Sequence, residues 1–317
     1  MKYTIGIDLG GTTMTAGVVN ENCEIVGKLT WATRLPRPAR DLEKAMADLC
    51  RAAAKESRVS MADIEYVGIG TPGSVKFTTG FVGYNTNFGY YDWNLGPDMA
   101  ALLGCRVYVE NDANAAAFGE YLAGGAKGYQ DAVIITLGTG IGSGIILSGK
   151  ILRGFNFAAG EMGHTVIVKD GRPCNCGRRG CWERYASSRA LSEDTREAMR
   201  QDPDTLMWKI AGDLDHVNAK TSFDAMEAGD ATARKVVDNW IGYVACGVAN
   251  VVNTFQPEVV CIGGGVSNQG EVLLAPVRAI VEQETRNITS GSCPAICACQ
   301  LHNDAGVIGA ARLAESI

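Results

Sequence analysis

Two apolar runs along the chain end in the same glycine- and threonine-rich punctuation. Ile5-Gly6-Ile7-Asp8-Leu9 enters Gly10-Gly11-Thr12-Thr13, and Ile134-Ile135-Thr136-Leu137 enters Gly138-Thr139-Gly140. A further apolar run leaves each turn, Ala16 to Val19 in one and Ile145 to Leu147 in the other. Short apolar runs closed by glycine read as strands joined by a tight turn. Asp8 aligns with Thr136 and Gly10 with Gly138, both at an offset of 128 residues. That period is too long for a solenoid and points to a duplicated α/β domain.

Between and after the turns, strand and helix patterns alternate. Leu42, Met46, Leu49 and Ala53 fall on one helical face with Asp41 as N-cap. Tyr66 to Gly70 and Arg106 to Val109 read as strands, and Ala113 to Ala123 as a helix. Ile241, Val244, Val248, Val251 or Val252, and Phe255 predict a long helix leading into a buried strand, Val259 to Ile262. A third turn, Gly263-Gly264-Gly265, follows, and helices at Val277–Glu284 and Gly306–Ala314 close the chain. Residues 200–222 form the expected surface excursion. Strand–helix alternation implies α/β layers.

Composition narrows the class. The 317 residues carry 46% hydrophobic and 20% charged side chains, which is globular and excludes disorder. A net charge of −6 argues against a broad nucleic-acid or anionic-membrane surface. The longest uncharged stretch, Ala132 to Gly149, holds five glycines and suits a strand–turn–strand better than a membrane span. Eleven cysteines, an odd number, at no evident export signal point to a reduced, cytoplasmic protein with a thiolate metal site. The sequon Asn287-Ile288-Thr289 is then expected to carry no glycan. Glycine is in excess at 39 residues, and the turns are its expected use.

The candidate chemistry begins with those turns. Glycine lets backbone N–H groups converge on anionic oxygens, and Thr12, Thr13 and Thr139 add hydroxyl donors. No P-loop motif is present, and neither turn opens a helix as a dinucleotide fingerprint does. Asp8, at the head of the first turn, either initiates the turn or works through Mg²⁺ on phosphate oxygens. Glu110-Asn111-Asp112-Ala113-Asn114 stands between a strand and an alanine-rich helix. Asp112 there reads either as a helix N-cap or as the base that takes a hydroxyl proton during phosphoryl transfer. Cys174, Cys176 and Cys181, with His164 ten residues upstream, supply four ligands for a closed, structural zinc site. Cys293, Cys297 and Cys299 lack that glycine pattern and read as packing. Glu161 and Glu183 flank the metal loop as candidate acceptors for vicinal sugar hydroxyls.

Together these segments resemble the ROK family of bacterial sugar kinases and repressors, in the hexokinase/actin-like superfamily. The resemblance rests on Asp8 to Thr12, Glu110 to Asn114, Leu137 to Gly140, Gly160 to His164, and the cysteine segment through Glu183. It implies two duplicated actin/hexokinase-like, ribonuclease H-like lobes around a central cleft. Residues 1–112 with about 303–317 would form the small lobe, and 113–302 the large one. It also implies ATP-dependent phosphorylation of a hexose 6-hydroxyl, glucose first, with fructose, mannose, allose or an N-acetylhexosamine as alternatives. Asp112 matches the base. Asn87, Asn111, Glu161, His164 and Glu183 match sugar ligands, with Asn85 an alternative to Asn87. Gly10, Gly11, Thr12, Gly138 and Thr139 match phosphate contacts, Gly263, Gly264 and Gly265 the adenosine side, and His164, Cys174, Cys176 and Cys181 the zinc ligands. ATP, Mg²⁺ and a structural Zn²⁺ are the implied cofactors, and a homodimer the implied assembly. Only Met1 to Thr4 precede Ile5, so a helix-turn-helix and DNA binding are not expected. Trp182, Phe157 and the loop Phe88 to Trp93 depart from the family pattern and are expected near the sugar.

Overall fold

The computed structural model describes residues 2–85, 88–288 and 292–317. Among them the chain begins with strands β1 (Tyr3–Leu9), β2 (Thr13–Val19) and β3 (Ile25–Ala32), then helix α1 (Ala39–Glu56). Strand β4 (Ile64–Thr71) precedes a small hairpin layer, β5 (Ser74–Lys76), β6 (Phe81–Asn85) and β7 (Tyr90–Trp93). Helix α2 (Leu95–Leu103), strand β8 (Arg106–Asn111) and helix α3 (Asp112–Ala123) follow. The second series opens with β9 (Ala132–Leu137), β10 (Ile141–Leu147) and β11 (Lys150–Ile151). Helices α4 (Glu183–Ala186), α5 (Ser188–Gln201), α6 (Met207–Ala211), α7 (Ala219–Glu227) and α8 (Ala231–Phe255) come next. Strand β12 (Val259–Gly263), helix α9 (Glu271–Thr285), strand β13 (Ala295–Ala298) and helix α10 (Ala305–Ala311) complete the chain.

The repeat is a topological one. One sheet runs β3-β2-β1-β4-β8 and the other β11-β10-β9-β12-β13. In the first, β1 pairs antiparallel with β2 and parallel with β4, and β4 parallel with β8. The offset of 128 residues carries both ends of β2 onto both ends of β10. This is the duplicated two-lobe actin/hexokinase-like fold. By density of contacts the chain divides into Met1–Ala132 with Gly144–Gly160 and Cys299–Ile317, and Val133–Ser143 with Glu161–Ala298.

In the first unit, Ile5, Ile7 and Leu9 of β1 pack with the buried face of α1, Leu42, Met46, Leu49 and Ala53. The cap of α1 differs from the expected Asp41. Pro38, extended at the cap position, accepts the N–H groups of Asp41 and Leu42 through its carbonyl. Asp41 therefore lies inside the first turn, where its charge complements the helix dipole.

The glycine excess has a second use that turns do not explain. A Cβ on Gly6 of β1 would lie 1.9 Å from Val307 O, and one on Gly68 of β4 1.7 Å from Ala310 O. On α3, a Cβ on Gly119 would meet Ala305 O at 2.1 Å, and one on Gly309 of α10 would meet Ala115 O at 1.7 Å. Helix α10 is thus pressed against β1, β4 and α3 at a spacing only glycine permits.

In the second unit, α8 buries Val237, Trp240, Val244, Val248 and Val251, and begins at the cap Asp230, whose side chain accepts from Ala233 N. The 200–222 stretch is less of an excursion than expected. It contains α6 and the start of α7, anchored by the buried Met207 and by the Asn218 cap. No described helix is long and apolar enough to cross a membrane.

Candidate functional site

Each unit brings together part of the predicted set. In the first, Gly10 turns β1 into β2, its N–H donating to Thr13 O at 2.9 Å. Thr33 ties the same turn, its hydroxyl donating to Gly10 O at 2.7 Å and its N–H to Thr12 O at 2.8 Å. Gly11 and Thr12 stay exposed at the tip. Asp8 lies one residue before the end of β1, against Gly306 of α10, where a Cβ would come within 2.9 Å of the carboxyl carbon. Burial lifts the Asp8 carboxyl to about 6, and the negative charge of Asp112 adds to the shift. Gly306 was not legible as a site residue, since nothing local marks it.

The head of α3 separates two roles that the sequence left open for Asp112. Asn111 is the N-cap: its Oδ1 accepts from Ala113 N at 2.9 Å and Asn114 N at 3.2 Å. Its Nδ2 donates to Gly73 O at 3.3 Å. Asp112 is the first helical residue and not the cap. Burial raises its carboxyl above the usual range, opposed by the Ala113 N–H that it accepts at 2.9 Å. Asn87 lies outside the described residues. The alternative Asn85 is fully buried, and its amide is engaged with Pro72 O at 2.6 Å, Thr71 Oγ1 at 3.3 Å and Phe88 N at 3.2 Å.

In the second unit, Gly138 N donates to Gly140 O at 3.0 Å. Ser188, beginning α5, holds the Gly138 carbonyl through both its N–H and its hydroxyl. Gly264, at φ +89°, comes so close to the end of β9 that a Cβ would lie 2.3 Å from Leu137 O. The triglycine and the 138–140 turn therefore sit side by side, with Thr139, Gly264 and Gly265 exposed. A Cβ on Gly140 would meet Glu183 Oε2 at 2.6 Å, which brings Glu183 to the same turn.

Glu183 also borders the cysteine loop. The Cys174 thiol donates to its Oε1 at 3.0 Å, and His164 Nδ1 lies 3.7 Å from both Cys174 Sγ and that oxygen. Cys176 and Cys181 are 3.6 Å apart, and all four ligand atoms of the set lie within 4.8 Å of one another. Burial pushes the Cys174 thiol up to about 12, whereas the Arg178 N–H lowers that of Cys176. Glu161 is exposed just ahead of a short helical turn, Met162–His164, whose first N–H donates to Ser143 Oγ at 3.2 Å.

The three departures divide. Trp182 is fully buried, its ring beneath Gly247 of α8 and its Nε1 donating to Tyr243 O at 2.8 Å. It packs a helix and is not a site residue, because its side chain turns toward α8. Phe157, at φ +63°, lines a cavity in the first unit with Phe77 and Arg153. The Phe88 to Trp93 loop becomes β7, pinned by Trp93 Nε1 on Glu43 at 2.7 Å. The second cysteine group packs as expected at one position, Cys297 facing Cys261 across β12 and β13 at 3.5 Å.

Residues 4–317 match the model of the ROK family. The glucokinase of Thermotoga maritima is 38% identical over 98% of this chain and 96% of its own. The glucokinase of Halalkalibacterium halodurans is 36% identical over 99% and 95%. A crystal structure of a ROK family glucokinase from Streptomyces griseus, in complex with glucose and AMPPNP, superposes with a TM-score of 0.79. It is 35% identical and covers 98% of both chains. With a full-length family match and relatives of this identity, the chain belongs to the ROK family.

Proposed function

We propose that the chain transfers the γ-phosphoryl group of ATP to the 6-hydroxyl of a hexose, glucose first, with Asp112 as general base. The observation that carries this reading is the division of labour at the head of α3. Asn111 satisfies the helix N–H groups, so Asp112 is released from capping, and β8 and α3 hold it on rigid elements. Its raised pKa brings its basicity nearer to neutral pH, where general-base efficiency is greatest. As the hydroxyl oxygen bonds to the γ-phosphorus, the bond to the bridging oxygen breaks, ADP leaves, and Asp112 accepts the hydroxyl proton.

Asn111, Glu161, His164, Glu183 and Asn87 are the proposed hydroxyl partners; the engaged amide of Asn85 favours Asn87. The turns at Gly10–Thr12 and Gly138–Thr139 would bind phosphate, and Gly263–Gly265 the adenosine. Asp8 would hold Mg²⁺, which neutralises transferring oxygens when bound. The proposed lobes are residues 1–112 with about 303–317, and 113–302. His164, Cys174, Cys176 and Cys181 would hold a structural zinc. Metal–sulfur bonds of about 2.3 Å give a tetrahedron with sulfur–sulfur edges of about 3.8 Å, near the 3.6 Å between Cys176 and Cys181.

The test is sugar-dependent ADP release over glucose, fructose, mannose, allose and N-acetylhexosamines, with Asp112→Ala as the comparison. Glucose-dependent turnover that falls by roughly 10²–10⁴-fold in the variant is expected. Undiminished turnover in the variant would remove Asp112 from its role, and no response to any hexose would remove the activity.

A further inference from the structure

Glu110 precedes the Asn111–Asp112 pair on β8 and is only 2% exposed. Three donors converge on its carboxylate. Asn111 N at 2.9 Å and Asn114 Nδ2 at 3.1 Å reach Oε1, and Arg153 Nε at 2.6 Å reaches Oε2. Arg153 spends its remaining donors on Ser316, Nη1 on the carbonyl at 3.0 Å and Nη2 on Oγ at 2.5 Å. Its guanidinium also lies 3.8 Å over the Phe77 ring.

A buried ion pair adds little net stability, because desolvating both charges offsets their attraction. What this pair does supply is direction. Glu110 holds the backbone of the residue before Asp112 and the side chain of the residue two after it. Asp112 therefore leaves the chain between two points fixed by one carboxylate, and Arg153 fixes that carboxylate in turn. We propose that Glu110 and Arg153 are positioning residues for the Asp112 base, acting through the first turn of α3. The inference rests on Asp112 being the base. Proton transfer tolerates misplacement poorly: a shift of about 1 Å in a reacting group costs on the order of 100-fold in rate.

The experiment compares Glu110→Gln, Arg153→Lys and the double variant with the wild-type protein. Glu110→Gln keeps the shape but turns an amide donor toward the Arg153 Nε. Arg153→Lys keeps the charge, loses the Ser316 fork, and has room, since Arg153 lines a cavity of about 670 Å³. Expected is a fall in kcat of roughly 10- to 100-fold with sugar KM within about threefold. The double variant should be no worse than the more severe single one, because the pair acts as a unit. Hydrogen exchange of the Ala113 and Asn114 amides should accelerate about tenfold in the same proteins, with or without activity. Asp112→Asn should abolish turnover and leave that exchange unchanged. An active Asp112→Asn would sink the base while exchange still reports on positioning. Folded Glu110→Gln with kcat within twofold of wild type, or unchanged exchange, would overturn the proposal. If Glu110→Gln does not fold, Arg153→Lys is judged by the same two readouts.

Discussion

Asp8→Asn should make the folded protein more stable at neutral pH while making it a worse enzyme. In the folded chain the Asp8 carboxyl sits at about 6, against 3.8 for an ordinary aspartate, first through burial and then through the charge of Asp112. Between those values the folded state binds more protons than the unfolded state, so stability falls as pH rises. The wild-type protein has that stability in full below about pH 4 and has lost it above about pH 6. The shift of about 2.2 units, at about 1.36 kcal/mol each, gives an upper figure of about 3 kcal/mol. Asparagine has nearly the same shape and no charge to desolvate. Urea unfolding of both proteins in chelator, at steps from pH 4 to 8, isolates the term, because other titrations cancel in the difference. Asp8→Asn should gain about 2–3 kcal/mol over wild type at pH 7 and little at pH 4. Its ADP release should fall by about 100-fold, as expected when a charge aimed at the transferring group is removed. A variant no more stable than wild type at pH 7, or a difference independent of pH, would refute the reasoning.

Two further perturbations separate packing from binding among the glycines and test the cysteine loop. Gly309→Ala puts a Cβ 1.7 Å from a backbone oxygen of α3 and should cost about 3 kcal/mol or more in thermal unfolding. Gly138→Ala points its Cβ into open space, so the fold should stay within about 0.5 kcal/mol. Its KM for ATP should nevertheless rise about tenfold, the equivalent of one lost hydrogen bond; an unchanged KM would remove Gly138 from the phosphate contacts. Metal analysis of the purified protein should find about one zinc per chain, absent in Cys176→Ser. Chelation should lower the melting temperature by roughly 10 °C, as expected for a loss of about 3–4 kcal/mol in a chain of this size.

The local chemistry was legible without coordinates because its parts lie close in sequence. Cys174, Cys176 and Cys181 fall within eight residues and His164 ten before them, and the structure gathers those four ligand atoms as the spacing implied. The matched turns were equally readable, since each strand–turn–strand is one continuous segment. Their common offset of 128 residues carried over to the strand boundaries themselves.

Other decisions were made by partners distant in sequence. Whether Asp112 capped α3 depended on which of two adjacent polar residues turned back onto the helix, and Asn111 did, steadied by Gly73 O, 38 residues away. Trp182 looked like part of a sugar pocket until α8 supplied Gly247 to receive it. Composition alone revealed that glycine was in excess; only packing showed why Gly6, Gly68, Gly119 and Gly309 must lack a side chain. The Glu110–Arg153–Ser316 chain joins residues 43 and 163 positions apart and leaves no periodic trace. Turn chemistry and ligand spacing are properties of short segments, which the sequence by itself determined. Close approach of helix to sheet, and the aim of a buried carboxylate, depend on surfaces that meet only once the chain has folded.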